Sequence, residues 1–350
     1  LAKLGNRVVV ITTFFPWQKE IQQEWNLTII RLNSLRKKEF QSNPIEMLSY
    51  VFTAIKFLDE YLKNNSFDLS IGFFAIPWSI VSKHIFSKFG IPYIISTHWQ
   101  DIPWFYPRQM RKYHILTNRY TRMIRQKSKK ILFLTSKMQE LAIKFAPKMQ
   151  DKFILLPNGC DSDFFNPDLS KRWNKFKLIF VWRLVWQKDP FTMLKAVKLL
   201  HSKNNNFSLD IIGDWPLRAS MEEFIRENWL QKNVNFLWWI SKDELKWYYQ
   251  SANIQICSAH IEAMSVWILE SLYSWVYVLS TPVSWNTDMI TENVNWEFFE
   301  IWDYNVLASK LMYWIDNFEK LPFDLENLER LKQKFNRDNI IYKLNQIIND

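Results

Sequence analysis

The stretch Leu178-Ile179-Phe180-Val181-Trp182-Arg183-Leu184-Val185-Trp186-Gln187-Lys188 passes from an apolar run into a basic turn. A helical pattern follows over Phe191–Ser202, and then a second short strand, Leu209–Ile212, apolar but for Asp210. This strand–helix–strand unit decides the fold. A short strand that is apolar throughout, rather than alternating, belongs to a parallel sheet covered on both faces.

The alternation extends both ways. Downstream lie strands Val234–Leu237, Ile254–Cys257 and Val276–Ser280, with helices Arg218–Asn228, Asp243–Ser251 and Val266–Ser274. Upstream lies an earlier series, with strands Val8–Thr12, Leu69–Phe73, Tyr93–Ser96, Ile131–Leu134 and Phe153–Leu156. Its helices are Met47–Lys63, Ser79–Lys88, His114–Lys127 and Lys137–Phe145. Two series predict an α/β protein with two Rossmann-like, doubly wound domains. The boundaries are 1–157 for the first domain, 158–175 for a linker rich in Asn, Asp, Ser and Pro, and 176–322 for the second. The tail 323–350 reads as helix from Leu325 to Ile348 and is expected to pack back towards the first domain. Ligands of such sheets bind beyond the strand C-termini, so the expected site is a cleft between the domains.

A net charge of +10 implies anionic partners: nucleotides, an acidic membrane surface or nucleic acid. No nucleic-acid recognition motif is present, so nucleic acid is not expected. Cys160 and Cys257 alone form neither a disulfide framework nor a metal cage, which points to a reducing cytoplasm. No run reaches the ~18 apolar residues of a membrane span. The chain starts at Leu1 and enters a strand almost at once, which predicts a missing N-terminal piece.

Glycine is scarce and tryptophan abundant, at 5 and 19 of 350 residues, whereas glycine ordinarily supplies about 7% of a globular chain. Trp182, Trp215, Trp275, Trp285, Trp296 and Trp302 sit where a strand ends, a turn reverses or a helix stops. Such places favour a residue without a Cβ. The expectation is that many of these tryptophans are glycines in the working protein, because some bacterial lineages read UGA as glycine and other codes read it as tryptophan. The rival is a Trp-rich protein that stacks indoles on sugars. Trp104, Trp186 and Trp239 stand in contexts that suit an indole.

Arg183 and Lys188, after a strand end and before a helix, offer a guanidinium fork and a mobile ammonium to a diphosphate. As an isolated pair they would equally be two solvated surface cations. Glu262 and Glu270 are eight residues apart, slightly over two helical turns. With the helix starting near Met264, Glu262 sits in the preceding loop and the free N–H groups of the first turn form an anion site. Glu270, deeper in the helix, could bond sugar hydroxyls. Two exposed glutamates are the plainer alternative.

Together these segments resemble the retaining glycosyltransferases of family 4, which have the GT-B fold. The resemblance covers nearly the whole chain. It runs from Leu1–Thr12 through Leu156-Pro157-Asn158-Gly159-Cys160-Asp161 and Phe164-Phe165 to Val181-Trp182-Arg183-Leu184. It continues in Ile212-Gly213-Asp214-Trp215-Pro216-Leu217-Arg218, the Glu262…Glu270 segment and Val294-Asn295-Trp296. The family has glycine at the positions numbered here 182, 215, 238, 275, 285, 296 and 302. Ala263 also replaces a usual glycine, and is small enough to be tolerated.

The resemblance implies roles. Arg183 and Lys188 hold the donor diphosphate and stabilise the leaving group. Glu262 contacts donor-sugar hydroxyls, and backbone N–H groups around Ala263, Met264 and Ser265 help hold sugar and phosphate. Glu270 binds the nucleotide ribose. His98-Trp99-Gln100-Asp101 matches a His-Gly-x-Asp segment, with His98 near donor sugar and acceptor; alone, it could equally be a structural imidazole. The departing phosphate, not a carboxylate, assists the acceptor, so Glu262 and Glu270 are not the pair of a glycosidase. No metal and no cofactor beyond the donor substrate is expected. The family's first strand and Gly-rich loop would precede Leu1.

The segment Arg108–Lys130 carries nine cations interleaved with Met110, Tyr113, Ile115, Tyr120, Met123 and Ile124, a pattern suited to an anionic membrane surface. The expected protein is a cytoplasmic, metal-independent, retaining hexosyltransferase, peripheral on the plasma membrane's inner face. It moves a hexose from a nucleoside-diphosphate sugar to a glycan, lipid-linked or small-molecule acceptor in polysaccharide assembly. The rivals are another GT-B enzyme such as a nucleotide-sugar epimerase, or a catalytically dead carbohydrate-binding protein if the tryptophans are real.

Overall fold

The computed structural model describes residues 1–38, 42–102, 111–172, 175–213, 216–283, 296–321 and 324–350. They form two compact units, Leu1–Pro157 with Ile341–Asp350, and Asn158–Ile340.

The first unit opens with β1 (Val8–Thr13), β2 (Ile21–Glu24) and β3 (Leu27–Leu32), a three-stranded sheet in the order β1-β3-β2. β1 pairs with β3 in parallel, whereas β2 and β3 form an antiparallel hairpin around Trp25 and Asn26. Helix α1 (Pro44–Tyr61) starts on a reciprocal cap: Asn43 accepts from the Glu46 N–H, Glu46 accepts from the Asn43 N–H, and Pro44 takes the first helical position. Its apolar side, Val51, Ala54 and Leu58, packs with Ile30 and Leu32 of β3. Next come β4 (Ser70–Phe73), α2 (Ser79–Phe89), β5 (Tyr93–Thr97), α3 (Arg111–Lys127), β6 (Lys130–Phe133), α4 (Ser136–Phe145) and β7 (Phe153–Leu155). Those four strands form a parallel sheet in sequence order. The first half thus departs from a single run of parallel strands: the antiparallel β2 was not foreseen, because Ile21-Gln22-Gln23-Glu24 is polar and largely exposed.

The second unit contains β8 (Phe176–Val181), α5 (Pro190–His201), β9 (Phe207–Ile212), α6 (Arg218–Glu227), β10 (Val234–Leu237), α7 (Lys242–Ser251), β11 (Ile254–Cys257), α8 (Val266–Tyr273), β12 (Tyr277–Ser280), β13 (Trp296–Phe298), α9 (Tyr304–Asp316) and α10 (Leu325–Phe335). Its sheet is wholly parallel, in the order β10-β9-β8-β11-β12-β13. That is the doubly wound order whose direction reverses between β8 and β11. Every residue of β11 and β12 is buried, as a sheet covered on both faces requires. Gly213 ends β9 at φ +135°, where a Cβ would lie 2.1 Å from the Trp182 carbonyl oxygen, so this close approach of two strand ends needs glycine.

The tail is not one helix. α10 stops, Asn336 is extended, and α11 (Arg337–Asn349) follows. Cys160 causes the break by bridging in parallel to Asn336: its N–H donates to the Phe335 carbonyl (2.8 Å), and its carbonyl accepts from the Arg337 N–H (2.8 Å).

Two tryptophans singled out from the sequence, Trp275 and Trp302, have left-handed backbone. Trp182 and Trp296 do not: both are buried, and Trp296 lies within β13 rather than at a turn. Trp104, Trp215 and Trp285 lie outside the described residues. No helix among the described residues is long and apolar enough to cross a membrane.

Candidate functional site

The strand order puts the crevice of the second unit between the C-terminal ends of β8 and β11. Arg183 and Lys188 follow β8, and Glu262 follows β11. The two loops are stitched together. Ser258 Oγ lies 3.0 Å and 2.7 Å from the carbonyl oxygens of Lys188 and Asp189. The His260 N–H donates to the Gln187 carbonyl at 2.9 Å, and His260 Nε2 lies 2.7 Å from Asp189 Oδ2.

Lys188 is buried. Its ammonium donates to Glu262 Oε2 and sits 4.1 Å over the Trp182 ring. This corrects the expectation of a mobile ammonium: an ion pair and a cation–π contact hold it. An ammonium has three donors, so an anion can still be added to the pair. Arg183 is exposed. Glu262 Oε1 accepts from the Ala263 N–H at 2.9 Å.

Asp189 adopts φ +41° and caps α5, accepting from the Thr192 N–H (3.2 Å) and hydroxyl (2.6 Å). Burial acts to raise its pKa, but the bonds from His260 and Thr192 outweigh it and hold the carboxyl below its usual value. Neither Asp189 nor His260 was picked out from the sequence. Asp189-Pro190 is a legible helix start, but nothing local ties it to an imidazole in a distant loop.

Helix α8 begins at Val266, where the helical pattern Val266–Ser274 starts, with Ser265 in the capping position and Glu262 in the preceding loop. Ala263, Met264 and Ser265 are buried; the Asn158 N–H donates to Met264 Sδ at 2.9 Å, and Ser265 Oγ has no partner. Glu270 is more than nine-tenths buried. Burial pushes its pKa up to about 8, against the pull of Lys242. Among the described residues its Oε2 has no hydrogen-bond partner. A buried carboxylate oxygen without a donor is costly, and a ligand bringing hydroxyls would satisfy it.

His98 belongs to the first unit. It follows β5, its N–H donates to Asp101 Oδ2 (3.0 Å), and its ring stacks on Phe74 at 4.3 Å. Burial lowers its pKa to about 4 and leaves Nε2 without a partner, so the imidazole is neutral near pH 7. Burial raises the Asp101 pKa to about 6, opposed by Arg125 and by N–H bonds from His98 and Ala75. The structure therefore gathers Lys188, Glu262 and their loops in one place, with Glu270 farther along α8. Among the described residues no group of three or more His, Cys, Asp or Glu is placed to hold a metal ion.

Two family models together match residues 1–333. "Glycosyltransferase Family 4" covers residues 1–164, and "Glycosyl transferases group 1" covers residues 161–333. The 2-deoxystreptamine N-acetyl-D-glucosaminyltransferase of Niallia circulans is 22% identical over 309 residues, spanning 83% of this chain and 79% of that protein. The sucrose-phosphate synthase of Thermosynechococcus elongatus superposes with a TM-score of 0.81 at 15% identity, over 99% of this chain and 89% of its own. Anabaena HepE, solved with UDP and glucose, gives a TM-score of 0.74 at 13% identity, over 93% and 87% of the two chains.

Proposed function

Because this chain belongs to the family 4 glycosyltransferases, with the GT-B fold of two Rossmann-like units, and moves a sugar from a nucleotide sugar, we propose that its donor is a nucleoside-diphosphate hexose held at the β8–β11 crevice. The observation that carries this reading is Glu270, whose buried Oε2 lacks a donor on the helix that follows Glu262. Ribose hydroxyls supply what it lacks. Arg183 and Lys188 take the diphosphate, Glu262 and the N–H groups of Met264 and Ser265 take the sugar and its adjoining phosphate, and His98 serves the acceptor side as a neutral imidazole.

In this reading the bond from the sugar C1 to the phosphate oxygen breaks as the acceptor oxygen bonds C1 from the same face. The acceptor's proton passes to the departing phosphate, and the two cations stabilise the charge that develops there. The reaction retains configuration and needs no metal. HepE's complex with UDP and glucose supports uridine diphosphate as the first nucleotide to try. The acceptor is a glycan, a lipid-linked sugar or a small molecule. An anionic membrane fits α3, which exposes Ile115, Leu116, Tyr120 and Met123 beside Lys112, Arg119 and Arg122.

Titration calorimetry with UDP, ADP and GDP, repeated with Glu270→Gln, tests the donor site. Binding of one diphosphate, weakened at least about tenfold by loss of the carboxylate, or about 1.4 kcal/mol, is the expected result. Binding of none of the three by a folded protein overturns the reading.

A further inference from the structure

We propose that glycine, not tryptophan, stands at positions 25, 229, 275 and 302 of the working protein. The inference rests on backbone geometry and is independent of the proposed function. Among the described residues six non-glycine residues have positive φ, and four of them are tryptophan: Trp25 (51°), Trp229 (56°), Trp275 (61°) and Trp302 (66°). Tryptophan is only 19 of the 350 residues. In this region a Cβ crowds the following carbonyl, which leaves it essentially to glycine, with Asn and Asp the usual exceptions.

Three of the four occupy defined glycine positions. α6 and α8 both end in the same motif. The Trp229 N–H donates to the Arg226 carbonyl (3.3 Å) and the Leu230 N–H to the Ile225 carbonyl (3.0 Å). The Trp275 N–H donates to the Leu272 carbonyl (3.0 Å) and the Val276 N–H to the Ser271 carbonyl (2.9 Å). In this double-bonded helix end, the residue just past the cap is left-handed and usually glycine. The chain's own Gly90 closes α2 in the same conformation, at φ 73°. Trp25 is the first of two loop residues in the β2–β3 hairpin, where a positive φ also calls for glycine. Trp302 turns the chain just before Asp303 caps α9.

Large exposure leaves little packing to offset the strain at three of these, with Trp302 meeting the His260 ring edge-on at 4.9 Å. Trp25, Trp229 and Trp302 are 82%, 79% and 63% exposed. A sugar-stacking role does not explain the set either. Trp229 and Trp275 lie at helix C-termini, which face the N-terminal edge of a parallel sheet, opposite the end where ligands bind. UGA read as glycine accounts for all four with one change.

Peptide mass spectrometry of the protein from its own cells reads the residue at each position. Glycine at all four is expected, and tryptophan there overturns the proposal. A second test uses recombinant protein with tryptophan as written. Trp229→Gly and Trp275→Gly should each raise Tm by roughly 2–4 °C. Trp314→Gly should lower it, since that indole is buried in α9 and donates to Glu297 at 2.8 Å. No rise at either turn position overturns the proposal. If the tryptophan form does not fold, the variant with glycine at all four positions is made. Its folding, read by circular dichroism, supports the proposal, and its failure to fold overturns it.

Discussion

His260 and Asp189 meet at 2.7 Å, and each adjoins a loop that carries a site charge: Asp189 follows Lys188, and His260 lies two residues before Glu262. The pair holds the two loops in register. Asp189→Ala removes this bond and the α5 cap together. We expect about 2 kcal/mol of lost stability and weaker UDP binding. Asp189→Asn keeps a cap and a bond to the imidazole, and should recover most of both. Calorimetry and thermal melts on the two variants check this; equal UDP binding by wild type and Asp189→Ala would sink the positioning role.

The Lys188–Glu262 pair leads to a different expectation. Removing one partner of a buried ion pair leaves the other uncompensated, at a cost of about 3 kcal/mol or more. Glu262→Gln should therefore destabilise the second unit. Adding Lys188→Met should restore much of the loss, because an apolar chain of similar length replaces the stranded ammonium. Donor binding should not return with stability, since Lys188 is one of the two cations assigned to the diphosphate. Melting curves and UDP titrations of the single and double variants separate these effects.

The Glu270 carboxyl gives the site a pH signature. Unfolded, it releases its proton near 4.5; folded and buried, it keeps it to about 8. Between those values the unfolded state binds fewer protons, so this group's contribution to stability falls as pH rises. Hydroxyl donors favour the charged carboxylate, so UDP affinity should rise from pH 6 to pH 8. Glu270→Gln should flatten both trends, and an unchanged slope of stability with pH in that variant would remove Glu270 from the account.

How much of this was legible follows from where each signal resides. The β8–α5–β9 unit could be read because burial on both faces forces predominantly apolar strands, a pattern local to the chain. The β2–β3 hairpin could not: β2 is polar and exposed, and its turn, Trp25-Asn26, lacks the glycine that announces such a loop. The break at Asn336 comes from a bridge to Cys160, and the Asp189 cap is tied to His260; both depend on partners far away in sequence. The burial of Lys188 could not be read either, since it depends on Glu262 and Trp182, distant in sequence or in the turn, closing over a side chain that its local context presents as a mobile ammonium.

Trp182 brings the tryptophan question into the site. Its indole is 5% exposed and lies under the Lys188 ammonium at 4.1 Å, directly after β8. The indole occupies space beside the cation assigned to the diphosphate, and Gly213 already brings a neighbouring strand end against the Trp182 carbonyl. Trp182→Gly should cost the unit about 3 kcal/mol, as removal of a large buried ring does. It should also strengthen UDP binding about tenfold, or about 1.4 kcal/mol, by opening the turn to phosphate. A residue with only a packing role would lose stability and gain no affinity. Calorimetry and melting on this one variant decide between the two, and a loss of both would mean that Lys188 needs the indole to be held where the anion meets it.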